Sequence, residues 1–221
     1  DLVDDQTAAI LVEPVQGEGG IRIPPEGFLK GLRELANEHD LLLMFDEVQA
    51  GCGRTGQWFA YQNWDVQPDV MTLAKSLCGG VAGGAMLTTA EIAPSLRPGM
   101  HAATFGGNPL AARAGIATIE TIEQEKLLER ATNLSAQFAQ RLEPLAESLP
   151  IVRDVRICGL MIGMELTCDG TPIVTECMER GLLINCTQGT VIRLLPAMVL
   201  TEDELAHGCD ILVDVFENHA T

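Results

Sequence analysis

The chain has 221 residues, of which 47% are apolar and 20% are charged, a composition typical of a globular protein with enough apolar material for a core. Its 31 acidic residues outnumber the 14 lysines and arginines, so the formal net charge at pH 7 is −17. Such a charge repels phosphate backbones and anionic lipids, which argues against a role on nucleic acid or at a membrane.

The chain terminus and the cysteines predict a cytoplasmic protein. Residues 1–5 contain neither the basic nor the apolar segment of a secretory signal, and the missing initiator Met indicates part of a longer chain. The seven cysteines are scattered and include no CxxC pair, which favours buried thiols over a disulfide framework or a zinc site. The four histidines lie far apart, so we expect no metal.

The first 125 residues alternate short apolar runs with helical stretches, a pattern that predicts an α/β fold with a mainly parallel sheet. A helix is predicted to open at Pro25. Glu13, Asp46 and Lys75 each follow one of the first three predicted strands. Ligands of open α/β sheets bind at the carboxyl ends of strands, so these three residues are the first candidates for a site. The four strands are predicted at 8–12, 41–45, 69–74 and 84–88.

The remainder of the chain has a different character. A long helical region from Pro109 to Ser148 is predicted to break near Gln124, and a last helix is predicted to start at Thr201. We therefore expect two domains, a large one over residues 1–124 and a small α+β domain over 125–221. Beyond Pro150, strands are predicted at 152–156, 161–166, 182–185 and 191–195, with a helix at 173–180.

Lys75 ends an apolar strand and precedes a glycine-rich turn. Only two other lysines occur, Lys30 and Lys126. Partial desolvation at this position would favour the neutral amine, which can attack a carbonyl carbon. The alternative is a structural lysine whose ammonium group extends from the strand end into water.

Asp46 is a carboxylate at the end of a buried apolar strand, where burial is costly unless the group meets a cation. Chemistry on pyridoxal phosphate requires such a carboxylate beside the pyridine nitrogen, because it keeps the ring protonated. The alternative is an acidic residue that caps the following turn. Asp46 and Lys75 together, at the ends of two successive strands, suit a Schiff-base cofactor better than either alternative.

Two glycine-rich loops and one arginine complete the candidates. Residues 16–20 follow the first strand, and residues 104–109 precede a helix, where the Thr104 hydroxyl and backbone N–H groups suit a phosphate. Each loop suits a plain turn as well. Arg193 lies within the apolar run 191–195, so we expect it to pair with a carboxylate, either as a structural ion pair or in substrate binding.

Six segments, taken in order, resemble the class III (ornithine-type) aminotransferases of the fold-type-I pyridoxal phosphate superfamily, and within that class the acetylornithine aminotransferases. The segments extend over essentially the whole chain. They are EPVQGEGG at 13–20, DEVQAGCGRTG at 46–56, PDVMTLAKSLCGG at 68–80, HAATFGGNPLA at 101–111, GLMIGMEL at 159–166 and VIRLLPA at 191–197.

The resemblance implies a role for each residue that would contact the cofactor ring. Lys75 would hold pyridoxal 5′-phosphate as a Schiff base and move a proton between the substrate Cα and the cofactor C4′ atom. Asp46 would bind the pyridine nitrogen, Val48 would pack against the ring, Gln49 would bind the ring hydroxyl, and Glu13 would support the cofactor side of the site.

The resemblance also implies a shared active site. Thr104 would reach the cofactor phosphate of the neighbouring subunit, so a homodimer is implied. Glu18 and Arg193 resemble the carboxylate–guanidinium pair with which ornithine-type enzymes alternate between substrates. Ala103 stands where the family usually has Ser or Thr, and Cys78 stands where it usually has Gly.

The implied reaction is transfer of the terminal amino group of N-acetylornithine, or of ornithine, to 2-oxoglutarate, as in arginine biosynthesis. The alternatives are a succinylornithine or 4-aminobutyrate aminotransferase, a glutamate-semialdehyde aminomutase, and a catalytically silent half-protein that only binds a partner subunit. The resemblance extends over the C-terminal half of the family, whose N-terminal half carries a phosphate loop, an aromatic residue on the cofactor and a substrate-binding arginine.

Overall fold

A computed structural model describes residues 2–220, which divide into two compact units. Neither unit is continuous in sequence, because two short loops of the first 126 residues belong to the second unit. Independent domains at 1–124 and 125–221 stay a prediction. Unit 1 contains the chain up to Pro14, Pro24–Gly53 and Gln57–Lys126, and unit 2 contains Val15–Ile23, Arg54–Gly56 and the chain from Leu127 onward.

Unit 1 is built on a four-stranded sheet in the order β1-β2-β3-β4. The first three strands are parallel and the fourth is antiparallel to the third, so the predicted mainly parallel sheet is confirmed. Short apolar runs rich in branched residues favour strands, although Leu11 in the first strand and Met86 and Leu87 in the fourth are exposed. The strands are β1 (Ala9–Val12), β2 (Leu42–Asp46), β3 (Val70–Leu73) and β4 (Ala85–Thr88).

Two helices of unit 1 accompany this sheet, α1 (Phe28–Glu38) and α2 (Pro109–Gln124). Helix α1 begins three residues later than predicted, because Gly27 takes a left-handed conformation with φ of 80° and ends the preceding turn. The core of this part of the unit contains apolar residues from α1, from β2 and from the segment ahead of β3: Leu29, Ala36, Leu41, Leu43, Phe45 and Val66.

Unit 2 contains a fully antiparallel four-stranded sheet in the order β5-β6-β8-β7. Strand β7 begins at Asn185, whereas the sequence predicted a strand over 182–185, because its pairing with β8 starts opposite Arg193. The small α+β architecture is otherwise as predicted. The strands are β5 (Val152–Cys158), β6 (Met161–Leu166), β7 (Asn185–Thr187) and β8 (Val191–Leu194), and the helices are α3 (Leu127–Leu142), α4 (Leu145–Ser148), α5 (Thr171–Glu179) and α6 (Glu202–His219).

The predicted start of the last helix is confirmed in detail. Thr201 accepts a hydrogen bond from the Glu204 N–H at 3.2 Å, and the Glu204 carboxylate accepts one from the Thr201 N–H at 2.8 Å. This reciprocal pair satisfies backbone donors that a helix leaves without intrahelical partners. Helix α6 packs with α3 and α5 in the apolar core of unit 2.

Within residues 2–220, no helix combines the length and the apolar character that a membrane crossing requires.

Candidate functional site

Three of the predicted site residues follow three neighbouring parallel strands of unit 1. Glu13 comes directly after β1, Asp46 is the last residue of β2, and Lys75 follows β3 after one intervening residue. Because parallel neighbours end at the same edge of a sheet, all three lie along one carboxyl edge. The strand-end positions of the acidic residues and the amine therefore agree with the sequence, and their roles in one site stay a prediction.

Asp46 is held by hydrogen bonds to only one of its two carboxylate oxygens. The Val48 N–H donates to Oδ1 at 3.0 Å, and the Thr72 hydroxyl donates to the same atom at 3.3 Å. Thr72 stands directly opposite Asp46 in the register of β2 and β3. Among residues 2–220, no donor reaches Oδ2 within hydrogen-bond distance, so this oxygen is available to a cation. Thr72 was not among the residues predicted from the sequence, although its hydroxyl near the end of the adjacent strand could have indicated it.

Lys75 opens a short 3₁₀ helix, Lys75–Cys78, and has a φ of 43°. This left-handed conformation is uncommon for a residue other than Gly and often marks a functional constraint. The side chain is exposed, so the partial desolvation expected from the apolar strand is not met by the described residues. The reason is the position of Lys75 beyond the strand end, outside the apolar run that buries Met71 and Leu73.

The turn that follows β2 carries Val48 and Gln49, both half-buried. Between them and Asp46 lies Glu47, whose side chain is fully buried. Its carboxylate accepts hydrogen bonds from the backbone N–H groups of Ala60 and Tyr61, at 2.9 and 2.8 Å. Burial raises the pKa of Glu47, and these two donors act in the opposite direction. Glu47 thus anchors the turn, a role that the sequence analysis did not identify.

Thr104 lies in an exposed turn ahead of α2. Asn108 caps that helix, because its side-chain oxygen accepts a hydrogen bond from the Ala111 N–H at 2.8 Å and its amide donates to the Phe105 carbonyl at 2.9 Å. One of the first-turn donors that the sequence analysis offered to a phosphate is therefore taken by Asn108. An Asn directly before the first-turn Pro109 was the signal for this cap.

Glu18 and Arg193 form an ion pair within unit 2, with 2.7 Å between Arg193 Nη1 and Glu18 Oε1. The Arg193 side chain is only 8% exposed, whereas that of Glu18 is 70% exposed. Asn185, opposite Arg193 in the sheet, accepts a second hydrogen bond from Arg193 Nε at 3.2 Å. The predicted carboxylate partner of Arg193 is confirmed. Asn185 was not predicted from the sequence, because only the pairing register of β7 and β8 shows that it lies opposite Arg193.

The described residues offer no alternative metal centre, since no three His, Cys, Asp or Glu side chains among residues 2–220 cluster suitably for a metal ion.

Comparison with known proteins shows which family the chain resembles in sequence and in structure. The sequence model of the family described as class III aminotransferases matches residues 1–216. The chain is 48% identical over 218 residues to the acetylornithine aminotransferase of Methanothermobacter thermautotrophicus, a match that covers 99% of this chain and 56% of the relative. The chain spans about half the length of the curated relatives it matches.

Solved structures agree with this result. The crystal structure of an acetylornithine aminotransferase from Elizabethkingia anophelis superposes with a TM-score of 0.89 at 38% identity, over 95% of this chain and 56% of that one. An ornithine aminotransferase from Toxoplasma gondii, crystallised with oxidised glutathione and with partial occupancy of PLP at its active site, gives 0.90 at 35% identity, over 96% and 52%. The chain therefore belongs to the class III aminotransferases, which depend on pyridoxal phosphate and have the fold-type-I α/β architecture.

Proposed function

We propose that the chain forms the lysine-bearing part of an aminotransferase that moves the terminal amino group of N-acetylornithine or ornithine to 2-oxoglutarate. The observation that carries this proposal is the state of Asp46, whose Oδ1 is held by Thr72 and Val48 while Oδ2 receives no hydrogen bond from residues 2–220. Lys75 follows the neighbouring strand at the same edge. A carboxylate with one oxygen fixed and the other available suits a protonated ring nitrogen.

The residues at this edge fit pyridoxal phosphate in their chemistry. When bound, the cofactor supplies an electron sink for the substrate Cα. Asp46 would keep the ring nitrogen protonated, and Thr72 would keep the Asp46 carboxylate oriented. Lys75 Nζ would hold the cofactor and carry the proton that leaves and returns at the substrate. Val48 would exclude water from the ring face, and Gln49 would bind the ring hydroxyl.

Glu18 and Arg193 would select between the two substrates. While paired with Glu18, the Arg193 guanidinium has its charge balanced, which suits an amino donor whose reacting end carries no carboxylate. The exposed Glu18 side chain can turn toward solvent, and the Arg193 Nη1 that it leaves can then donate to a carboxylate of 2-oxoglutarate or glutamate. One arginine would thus serve both half-reactions.

We further propose a cytoplasmic homodimer in which Thr104 binds the cofactor phosphate of the partner subunit. Several large apolar side chains of unit 1 are exposed near this turn and in α2 and β4, a pattern typical of surfaces covered by other polypeptide. These side chains are Met86, Leu87, Leu96, Met100, Phe105, Leu110, Ile116 and Ile119.

Covalent trapping tests the cofactor site. The protein is mixed with pyridoxal phosphate and reduced with borohydride, which makes the bond between a lysine and the cofactor permanent, and the modified peptides are mapped by mass. We expect the label on Lys75 alone, with Lys30 and Lys126 unmodified and with no label in a Lys75→Ala variant. The Lys30→Ala variant is the matched control and should label like the wild type. Absence of label, or equal label on all three lysines, would refute the site.

Activity assays distinguish the proposed enzyme from two alternatives. A glutamate-semialdehyde aminomutase would turn over without an added keto acid, whereas the proposed enzyme requires 2-oxoglutarate as amino acceptor. A catalytically silent subunit would tolerate Lys75→Ala with no measurable change.

A further inference from the structure

We propose that Arg156 is a positioning residue that holds the loop Gly17–Ile21, so that the Glu18 carboxylate reaches Arg193. This inference rests on the proposed function for its link to substrate choice. Its structural basis lies entirely within unit 2.

The loop that carries Glu18 is closed by hydrogen bonds within its own backbone. Gln16 and Arg22 exchange two backbone hydrogen bonds of 3.0 Å at its base, and the N–H groups of Gly20 and Ile21 point to the Gly17 carbonyl at 3.2 and 3.4 Å. The Glu18 side chain is 70% exposed, so burial does not fix it. Its distance from Arg193 therefore depends on where the loop backbone lies.

Arg156 on β5 binds the loop two and three residues after Glu18. Its Nη2 donates to the Gly20 carbonyl at 2.9 Å, and its Nε donates to the Ile21 carbonyl at 3.1 Å. The rigid planar guanidinium presents these donors in a fixed fork, which an ammonium group cannot reproduce. Gln188 adds a third attachment, because its amide donates to the Glu18 carbonyl at 2.9 Å.

The orientation of Arg156 is itself fixed by acidic partners. Its Nη1 lies 2.7 Å from Glu165 Oε2 and 2.6 Å from Asp154 Oδ2, and the side chain is only 13% exposed. The hydrogen bond from Arg156 also holds the pKa of Glu165 below its ordinary value, with smaller contributions from Arg22 and Arg153. Arg156 thus has acidic partners at one end of its guanidinium and loop carbonyls at the other.

Close packing leaves this loop little room to shift as a body. A Cβ placed on Gly163 of β6 would lie 2.9 Å from Ile21 Cβ, and one on Gly20 would lie 3.1 Å from Val191 Cγ2. The backbone of the loop therefore lies directly against the sheet that carries Arg193. Loss of Arg156 would release the hydrogen bonds that hold it there.

Three variants of the holoenzyme separate positioning from charge and folding. Arg156→Met removes both loop bonds, Arg156→Lys keeps the charge but not the fork, and Arg153→Met is the matched control. Arg153 contacts the same Glu165 at 3.3 Å and is 60% exposed, and within residues 2–220 its side chain donates to Glu165 and not to the loop. Circular dichroism establishes that each variant is folded.

The first readout is amide hydrogen exchange of residues 17–22, which needs no activity. We expect exchange to accelerate by about tenfold or more in Arg156→Met, by a smaller factor in Arg156→Lys, and not in Arg153→Met. Loop exchange equal to that of the wild type in both Arg156 variants would overturn the proposal. If Arg156→Met fails to fold, Arg156→Lys decides.

The second readout is the ratio of kcat/KM for N-acetylornithine to kcat/KM for L-glutamate. We expect Arg156→Met to lower this ratio by about tenfold, because Arg193 loses its standing partner and accepts carboxylates more readily. The same change in a Glu18→Ala background should leave the ratio unaltered. An equal drop in both backgrounds would show that Arg156 does not act through Glu18. A wild type that binds no cofactor and transfers no amino group would refute the proposed function, whereas the exchange result would still decide the positioning role.

Discussion

Asp46 and Thr72 stand directly opposite each other on β2 and β3, and the Thr72 hydroxyl donates a hydrogen bond of 3.3 Å to Asp46 Oδ1. The Val48 N–H binds the same oxygen at 3.0 Å. Both bonds on one oxygen fix the plane of the carboxylate and direct Oδ2 away from them. The side chain is therefore oriented before any ligand arrives, which lowers the entropic cost of binding.

Replacement of Thr72 by Val should weaken pyridoxal phosphate binding by about 3- to 10-fold, because one neutral hydrogen bond that orients Asp46 is lost. Titration of the cofactor absorbance measures the dissociation constant. Thr88→Val is the control, since the Thr88 hydroxyl lies on β4 and donates to the Thr89 carbonyl at 3.0 Å. Equal affinity of the wild type and Thr72→Val would contradict the orienting role.

Replacement of Glu47 by Ala should lower the free energy of unfolding by about 1–3 kcal/mol, because the buried N–H groups of Ala60 and Tyr61 lose their acceptors. Urea denaturation followed by tryptophan fluorescence measures this, and both tryptophans, Trp58 and Trp64, belong to unit 1. Glu34→Ala, at an exposed position of α1, should change the value by no more than about 0.5 kcal/mol. A Glu47→Ala variant as stable as Glu34→Ala would rule out this anchoring role.

The stability of unit 2 should fall with acid through Glu165. The Arg156 hydrogen bond lowers the folded-state pKa of Glu165 below its ordinary value of 4.5. A group with a lowered folded-state pKa contributes stability that is complete above its unfolded pKa and is lost as the pH falls through the folded pKa. The loss should therefore begin near pH 4.5 and increase below it.

Glu165→Gln should reduce the loss of unfolding free energy below about pH 4.5. It should leave the dependence of that free energy on pH near neutrality unchanged. Circular dichroism during urea denaturation, between neutral pH and about pH 3, gives the free energy of unfolding at each pH. Glu179→Gln on α5, an exposed position, is the control that should keep the wild-type slope. If the unfolding free energy of Glu165→Gln falls as steeply at acidic pH as that of the wild type, Glu165 is not the source of the loss.

Gly159→Ala should destabilise unit 2 by about 2–3 kcal/mol or more, because a Cβ there would lie 2.4 Å from Thr55 Cα and the backbone φ is 59°. Gly181→Ala is the matched control, with a φ of 87° and no atom within 4 Å of the added Cβ. It should show only the cost of a left-handed alanine, about 1–2 kcal/mol. Thermal denaturation should give the lower melting temperature for Gly159→Ala, and the reverse order would contradict the close approach of Thr55.

Local patterns in the sequence were sufficient for several features of this fold. Apolar runs located β1, β2 and β3, because strands of a parallel sheet favour consecutive apolar residues. The residues that follow those runs, Glu13 and Lys75, and the strand-terminal Asp46 could therefore be placed at strand ends without a structure. The capping box at Thr201 was equally local, since its hydrogen bonds join residues three positions apart.

Other features depended on contacts between residues far apart in the chain. A buried arginine requires a partner, so the apolar run around Arg193 indicated that it would pair with a carboxylate. That this partner is Glu18, 175 positions away, followed only from the resemblance to the ornithine-type enzymes and from no local pattern. The register of β2 and β3 put Thr72 against Asp46, and the register of β7 and β8 put Asn185 beside Arg193. The exposure of Lys75 was likewise decided by how the chain leaves β3. Sequence patterns indicate which residues share one face of a helix or strand, whereas strand register and loop packing decide which residues meet in space. Register and packing therefore determined which side chains hold Asp46 and Arg193.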